Sequence, residues 1–238
     1  MHLNRRHVLR TAAVGALGGL LGIGAEGFKQ RLGIKLGYSI SPNPTPDDLA
    51  LLRHAGVDAV SIWTTSEMAT VEWMIATRKK LEANGVEVYN IGAIDLHCDP
   101  AIVLGTKDQD AHIERFQNHL RNLSRAGINY TTYAHMANIK DQPVPGFYAT
   151  AMTEARPGAP TREFDIDAAL KLPNSFDREY SEKDIWASFT KFIRAVMPVA
   201  ERTKVKIGLH PDDPPVRSLG GVARIFAMSK ASTAPWNW

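Results

Sequence analysis

The sequence predicts an α/β protein built as an incomplete (β/α) barrel of the TIM type, with about five of the eight strand–helix units of a full barrel. Two observations support this fold class. From residue 33 onward, short β-branched runs alternate with longer segments of helical periodicity. Histidines directly follow three of the predicted strands, and barrel enzymes carry their reactive groups at the carboxyl ends of the strands.

The predicted strands are short apolar runs, and the helices between them begin at acidic or hydroxyl residues and often end at glycine. The strands span residues 34–40, 57–63, 86–91, 128–133 and 205–209. The helices span residues 47–56, 67–84, 108–126, 181–202 and 219–230. In the third helix, apolar residues recur at the spacing of a buried face: Ile113, Phe116, Leu120 and Leu123.

One long segment interrupts this alternation. Residues 135–178 contain several prolines and glycines and show no sustained period. We expect a long loop excursion on one face of the protein, because long loops in compact domains usually serve as lids or binding segments. The domain as a whole is predicted to span residues 33–238.

Periodicity alone does not separate an open doubly wound sheet from part of a barrel. The first strand is not followed by Gly-x-Gly-x-x-Gly, which removes the main signal of the nucleotide-binding sheet. His97, His135 and His210 follow the third, fourth and fifth strands, where a barrel would gather them at one mouth. Both features favour the barrel.

The charge distribution argues against a nucleic-acid partner. The formal net charge of +3 comes from 28 basic and 25 acidic residues. Arg5, Arg6 and Arg10 lie in the first 25 residues, which contain no acidic residue, so the remaining charges balance. A neutral body without a basic cluster lacks the electrostatic footprint of a nucleic-acid-binding protein.

The N-terminal residues predict export. The pair Arg5-Arg6 precedes a small-residue, uncharged run at 11–25, which is the layout of a twin-arginine signal segment over residues 1–25. This interpretation predicts a periplasmic or exported protein that meets the membrane only through the signal. The alternative is an N-terminal helix with two incidental arginines.

The segment around His210 is the sharpest candidate for chemistry. A buried strand delivers this imidazole into a loop with three prolines and the carboxylates of Asp212 and Asp213. A rigid neutral imidazole is a good ligand for a divalent transition metal, and a neighbouring carboxylate can orient it or contact substrate hydroxyls. The alternative is a histidine that caps the strand end, with the aspartates capping the next helix. The residues alone leave both interpretations open.

The string His-Pro-Asp-Asp-Pro-Pro at 210–215, followed by Arg224-Ile225, resembles the mannonate dehydratase family, whose barrel is related to the xylose isomerases. Weaker likeness extends over roughly residues 34–230, at 52–56, 96–97, 120–128 and 162–165. The resemblance implies a metal-dependent lyase that removes water from D-mannonate to give 2-keto-3-deoxy-D-gluconate.

The resemblance also implies roles for individual residues. His210 corresponds to a manganese ligand, with Fe²⁺ as the alternative metal, and Asp212 and Asp213 lie beside it near the sugar-acid hydroxyls. His97 and His135 are candidate substrate contacts at the same mouth, and the alternative for each is a polar loop residue. Cys98 follows His97, but adjacent residues rarely chelate one ion, so no metal role is predicted for it. No residue is assigned as the catalytic acid or base.

This sequence departs from the family pattern in two loops, 41–46 and 134–137, which puts the substrate contacts made there in doubt. The family's other metal ligands, a cysteine, a histidine and an aspartate, come from strands six to eight, which we expect to lie beyond this sequence. A stable site needs three or four ligands, and open sheet edges favour association with another copy. We therefore expect weak metal binding, poor catalysis by this chain alone, and a homo-oligomer.

Two other functions are consistent with the same residues. One is a sugar isomerase or epimerase that uses the same metal barrel. The other is a non-catalytic fragment or sugar-acid binder that holds no metal.

Overall fold

The computed structural model describes residues 34–137 and 148–227. The export signal predicted at 1–25 lies outside these residues. Within them, no helix is long and apolar enough to cross a membrane.

Five parallel strands form the centre of the fold, and all five were predicted to within three residues at each end. They are β1 (Gly37–Ile40), β2 (Ala59–Thr64), β3 (Glu87–Ala93), β4 (Tyr130–Ala134) and β7 (Lys206–His210). Hydrogen bonds join β1, β2 and β3 in that order and join β4 to β7. Thr131 Oγ1 of β4 donates to the carbonyl of Ile91 in β3 at 3.1 Å, which puts β4 beside β3. The strands therefore follow one another in chain order.

Seven helices connect and cover these strands in the described residues. They are α1 (Pro46–His54), α2 (Val71–Glu82), α3 (Ile94–His97), α4 (Pro100–Leu104), α5 (Gln109–Arg125), α6 (Ile166–Ala169) and α7 (Glu182–Thr203). The predictions of α1, α2, α5 and α7 are confirmed. The short helices α3 and α4 were not predicted, because four or five residues are too few to show a helical period.

Local sequence sets the ends of the long helices. Ser181 and Asp184 form a reciprocal capping box at the start of α7, and Thr45 and Asp48 do the same for α1. The far end of α7 closes at Lys204, which adopts a left-handed conformation with φ 56°.

The main core lies between the strands and the helices. The four apolar residues predicted on the buried face of α5 are all at most 4% exposed. Phe116 of α5 meets Tyr133 of β4 and Phe192 of α7, with ring centroids 5.4 and 5.2 Å apart in edge-to-face contacts. Such contacts add to the gain from area burial, so this cluster ties β4 to its two covering helices.

The excursion at 135–178 contains regular structure that the sequence pattern did not reveal. An antiparallel hairpin joins β5 (Ala151–Arg156) to β6 (Ala159–Glu163), with Gly158 at φ 75° in its turn. All the side chains of β5 are exposed, so its sequence shows no alternation of apolar and polar residues. The short helix α6 follows the hairpin.

The helix predicted at 219–230 is wrong over its described part, which ends at residue 227. Residues 218–223 instead form a small hairpin of β8 (Ser218–Leu219) and β9 (Val222–Ala223). Gly220 and Gly221 form its turn at φ 57° and 77°, a conformation that interrupts a right-handed helix.

The observed architecture is an α/β fold in which parallel strands alternate with helices. Over the described ranges, β1 and β7 are not paired with each other, so these strands do not form a closed barrel.

Candidate functional site

Three aromatic rings meet at the carboxyl ends of β2, β3 and β7. His97 ends the short helix that follows β3, and its ring lies 4.6 Å from the ring of Trp63 in β2, edge to face. The ring of His210, the last residue of β7, lies 6.3 Å from that of His97 at an angle of 81°. The structure therefore brings together His97 and His210, as the convergence of parallel strand ends predicts.

A glycine makes room for the indole in this cluster. Gly92 of β3 pairs with Trp63 across the sheet. A Cβ atom at position 92 would lie 2.5 Å from two carbons of the indole, Cε3 and Cζ3. Any larger residue at this position would therefore displace Trp63 from beneath His97. Sequence reasoning missed both residues, although a tryptophan near a strand end is a detectable signal.

His97 is held as a neutral imidazole. Its Nδ1 atom lies 3.3 Å from the carbonyl oxygen of Thr132, which can only accept a hydrogen bond. The proton therefore sits on Nδ1, and the lone pair is on Nε2. Burial lowers the pKa of His97 to about 4, against the opposing effect of the Thr132 carbonyl.

His210 has the same tautomeric arrangement. Its Nδ1 atom lies 2.5 Å from the carbonyl oxygen of Pro211, so this nitrogen donates and Nε2 carries the lone pair. Among the residues that the structure describes, the Nε2 atoms of His97 and His210 have no hydrogen-bond partner. Two adjacent imidazoles with available Nε2 atoms can accept hydrogen bonds or donate a lone pair to a metal ion.

His135 occupies a different environment in the core. Its Nδ1 atom lies 2.6 Å from the Tyr133 hydroxyl, and its Nε2 atom lies 3.3 Å from Ser188 Oγ. The ring packs against Phe189, and burial lowers its pKa to about 3. The structure does not bring His135 to the pair formed by the other two histidines. A contact with substrate would require it to give up one of these bonds.

The two aspartates after His210 point in different directions. Asp212 is only 4% exposed, and its Oδ2 atom accepts a hydrogen bond from the backbone N–H of Phe226 at 2.6 Å. Its Oδ1 atom is buried without a hydrogen-bond partner in the described part of the chain. Burial raises the pKa of Asp212, while the Phe226 N–H and the charge of Arg224 oppose that rise. Asp212 is therefore held inside its own loop.

Asp213 is exposed and faces the excursion. It lines an open pocket of about 210 Å³ together with residues of the hairpin and its flanks: Tyr148, Thr161, Arg162, Glu163 and Phe164. The lining of this pocket carries charged side chains of both signs and two hydroxyl groups, those of Tyr148 and Thr161, which can hydrogen-bond a polyhydroxylated ligand.

Cys98 is a packed core residue. It is 1% exposed and clusters with Ala134 and Met136 at the end of β4. Burial raises the pKa of its thiol to about 12, so the metal-binding thiolate form is disfavoured.

The described residues do not fit a complete metal site. They contain no group of three or more histidine, cysteine, aspartate or glutamate side chains placed to hold one ion. His97 and His210 offer two nitrogen donors, whereas a stable transition-metal site generally has three or four protein ligands.

Comparison with known proteins gives the family. The sequence model of D-mannonate dehydratase (UxuA) matches residues 46–150 and 148–234. The mannonate dehydratase of Streptococcus equi subsp. zooepidemicus is 31% identical over 186 residues, which is 68% of this chain and 49% of that protein. The mannonate dehydratase of Thermotoga maritima is 26% identical over 210 residues, covering 72% of this chain and 56% of that protein.

The fold is similar to that of a solved mannonate dehydratase. The structure from Streptococcus suis serotype 2 superposes with a TM-score of 0.67 at 24% identity, over 83% of this chain and 57% of that one. The chain spans about half the length of the curated relatives it matches. With a family match over most of its length, this chain belongs to the mannonate dehydratase family.

Proposed function

We propose that this protein takes part in the dehydration of D-mannonate to 2-keto-3-deoxy-D-gluconate and water. The single observation that carries the proposal is the pair His97–His210, two imidazoles with available Nε2 atoms at one edge of the strands. The pair lies in a chain of a family whose curated members are named mannonate dehydratase.

The reaction removes a proton from the carbon beside the carboxylate and a hydroxyl group from the neighbouring carbon. The enol that remains becomes the ketone, so atoms balance with water as the second product. His97 is neutral above about pH 4, so its Nε2 atom can accept a hydrogen bond from a substrate hydroxyl. Asp213, on the exposed side of the loop, can accept another.

A divalent metal is part of this proposal, with Mn²⁺ as the first candidate and Fe²⁺ as the second. His210 is the residue we propose as a ligand, because imidazole nitrogen suits these ions. The described residues supply no complete ligand set, so we assign no step of the reaction to the metal.

Three further proposals rest on the sequence. We propose that the five parallel strands correspond to the first part of an eight-stranded barrel, which agrees with their chain order and with the similarity to a solved mannonate dehydratase.

We propose twin-arginine export to the periplasm from Arg5 and Arg6, tested by following the location of an R5K/R6K variant. We propose a homo-oligomer because, among the described residues, β1 and β7 each pair with a strand on one side only. Light scattering tests this proposal.

The function is tested with the purified chain, D-mannonate and Mn²⁺, by measuring release of 2-keto-3-deoxy-D-gluconate. We expect slow turnover that His210→Ala lowers by at least tenfold, as expected for loss of a metal ligand. His54→Ala is the control, because His54 is an exposed histidine at the end of α1. Product release that His210→Ala leaves unchanged would contradict the proposal.

Two additional measurements separate the alternatives. Ketose interconversion on a panel of sugars, without dehydration of mannonate, would indicate an epimerase or isomerase. Sugar-acid binding without bound metal or product would indicate a non-catalytic binder.

A further inference from the structure

The loop that follows His210 is closed on itself by hydrogen bonds. Asp212 and Phe226 make two bonds: the Phe226 N–H donates to Asp212 Oδ2 at 2.6 Å, and the Asp212 N–H donates to the Phe226 carbonyl at 3.4 Å. The Arg224 N–H also donates to the Arg217 carbonyl at 3.0 Å. Residues 211–226, here called the His210 loop, therefore have both ends held together.

The side chain of Arg224 crosses the base of the His210 loop. Its Nη1 atom donates to the carbonyl of Pro214 at 3.3 Å and to the thioether sulfur of Met136 at 3.4 Å. The guanidinium also interacts electrostatically with the carboxylates of Asp212 and Asp213. One side chain thus contacts both the outgoing part of the loop and the end of β4.

Met136 is the anchor for these contacts. Its sulfur also accepts the backbone N–H of Asp213 at 3.2 Å. Met136 is 5% exposed and packs with Cys98 and Ala134, where β4 ends beside β7. The loop residue that lies three positions after His210 is therefore fixed to a rigid part of the core through one sulfur atom.

We propose that Arg224, acting through Met136, is a positioning residue that holds His210 with its Nε2 atom in the candidate site beside His97. The functional significance of this inference rests on the proposed function, whereas the positioning of His210 by Arg224 does not. Arg224 contacts no reacting atom in this interpretation. It acts by restricting the loop that begins at Pro211, whose carbonyl accepts the Nδ1 proton of His210.

Arginine suits this position for two reasons. The buried Oδ1 atom of Asp212 has no hydrogen-bond partner in the described residues, and a buried carboxylate is costly without a nearby cation. The planar guanidinium can provide that charge while it donates to Pro214 and Met136 from a fixed geometry. Lysine provides the charge with less directional bonding, so Arg224→Lys should retain part of the effect.

The experiment follows the imidazole Cε1–H resonance of His210 in the full metal-free chain by NMR, assigned through its loss in His210→Gln. We expect one narrow resonance in the wild type, and a shifted, broadened or split resonance in Arg224→Met. Arg224→Lys should give an intermediate result. Arg217→Met is the matched control, because Arg217 lies exposed on the same loop and contributes only its backbone carbonyl to Arg224.

A titration with Mn²⁺ alone gives a second measurement that does not depend on turnover. Paramagnetic broadening of the His210 resonance should require roughly tenfold more Mn²⁺ in Arg224→Met than in the wild type or Arg217→Met, the usual effect of removing a group that orients a ligand. A wild-type resonance and wild-type Mn²⁺ response in a folded Arg224→Met variant would overturn the proposal.

A second variant covers the case in which Arg224→Met does not fold. Met136→Leu nearly conserves volume but removes the sulfur acceptor, so the core should remain packed. We expect the same change of the His210 resonance, and its absence would overturn the proposal. If the resonance responds as expected while no chain releases product from mannonate, the positioning role stands and the proposed function fails.

Discussion

Replacing Gly92 with alanine should force the indole of Trp63 away from His97. The added Cβ would lie 2.5 Å from Cε3 and Cζ3 of Trp63, whereas carbon atoms pack at about 3.5–4.0 Å. The ring or β3 must therefore retreat by about 1 Å. Overpacking of this kind costs about 1–3 kcal/mol, and the smaller unfolded-state entropy of alanine offsets about 0.4–1 kcal/mol. We expect the free energy of unfolding to fall by about 1–2 kcal/mol.

The assay is urea unfolding of four chains: wild type, Gly92→Ala, Trp63→Leu and the double variant. If the clash is with the indole, leucine at position 63 gives the new methyl group room, and Gly92→Ala should then cost little. The cycle should therefore show a coupling of about 1–2 kcal/mol, a size typical of residues in contact. Gly37→Ala is the matched control, since its Cβ would meet Tyr89 Cε1 at 3.8 Å and the Ala59 carbonyl at 3.9 Å, which are ordinary contacts.

Two results would refute this reasoning. One is a Gly92→Ala chain as stable as the wild type and Gly37→Ala. The other is an equal cost of Gly92→Ala with tryptophan and with leucine at position 63. Either result would mean that the indole of Trp63 does not lie against Gly92, and the described packing of Trp63 in the candidate site would be wrong.

Three more predictions concern buried and capping groups. The pKa of His135 is about 3 in the folded chain, below its ordinary value of 6.5. Between pH 3 and pH 6.5 the unfolded chain therefore binds more protons than the folded chain, so the free energy of unfolding decreases as the pH falls below 6.5. When the pH is lowered from 7 to 5, the free energy of unfolding measured with urea should fall by about 2 kcal/mol less in His135→Leu than in the wild type. An equal fall in both chains would contradict this prediction. Cys98 should react with a thiol reagent at pH 8 only after unfolding, and rapid labelling of the native chain would show the burial to be wrong. Ser181→Ala should cost about 1 kcal/mol by removing the cap of α7, whereas Lys183→Ala, exposed in the same turn, should not; equal effects would rule out a capping contribution.

The four long helices and the strands β2, β3 and β4 could be predicted because they carry recurring apolar residues that are buried in the structure. β1 and β7 were predicted from the same apolar and β-branched residue types, although their side chains are exposed or half-buried. The hairpin β5–β6 could not be predicted, because its side chains are almost all exposed and only backbone pairing defines it. The helix expected after Leu219 failed for a local reason. Gly220 and Gly221 both adopt positive φ, and a chain with two adjacent glycines reverses direction here instead of continuing.

Some residues of the candidate site could be placed from the sequence, and others could not. His97 and His210 could be brought together from sequence, because the carboxyl ends of parallel strands lie at one edge of the fold. The same argument failed for His135, whose ring turns into the core towards Tyr133 and Ser188. The direction of Asp212 could not be predicted, because it depends on Phe226 and Arg224, which lie more than ten residues further along the loop. Strand geometry brings the two histidines to one edge, whereas the contacts inside the His210 loop set the direction of the carboxylates and, in our proposal, the orientation of the His210 ring. Substitutions at Arg224 or Met136 should therefore change the site without altering the strands, whereas Gly92→Ala should change both.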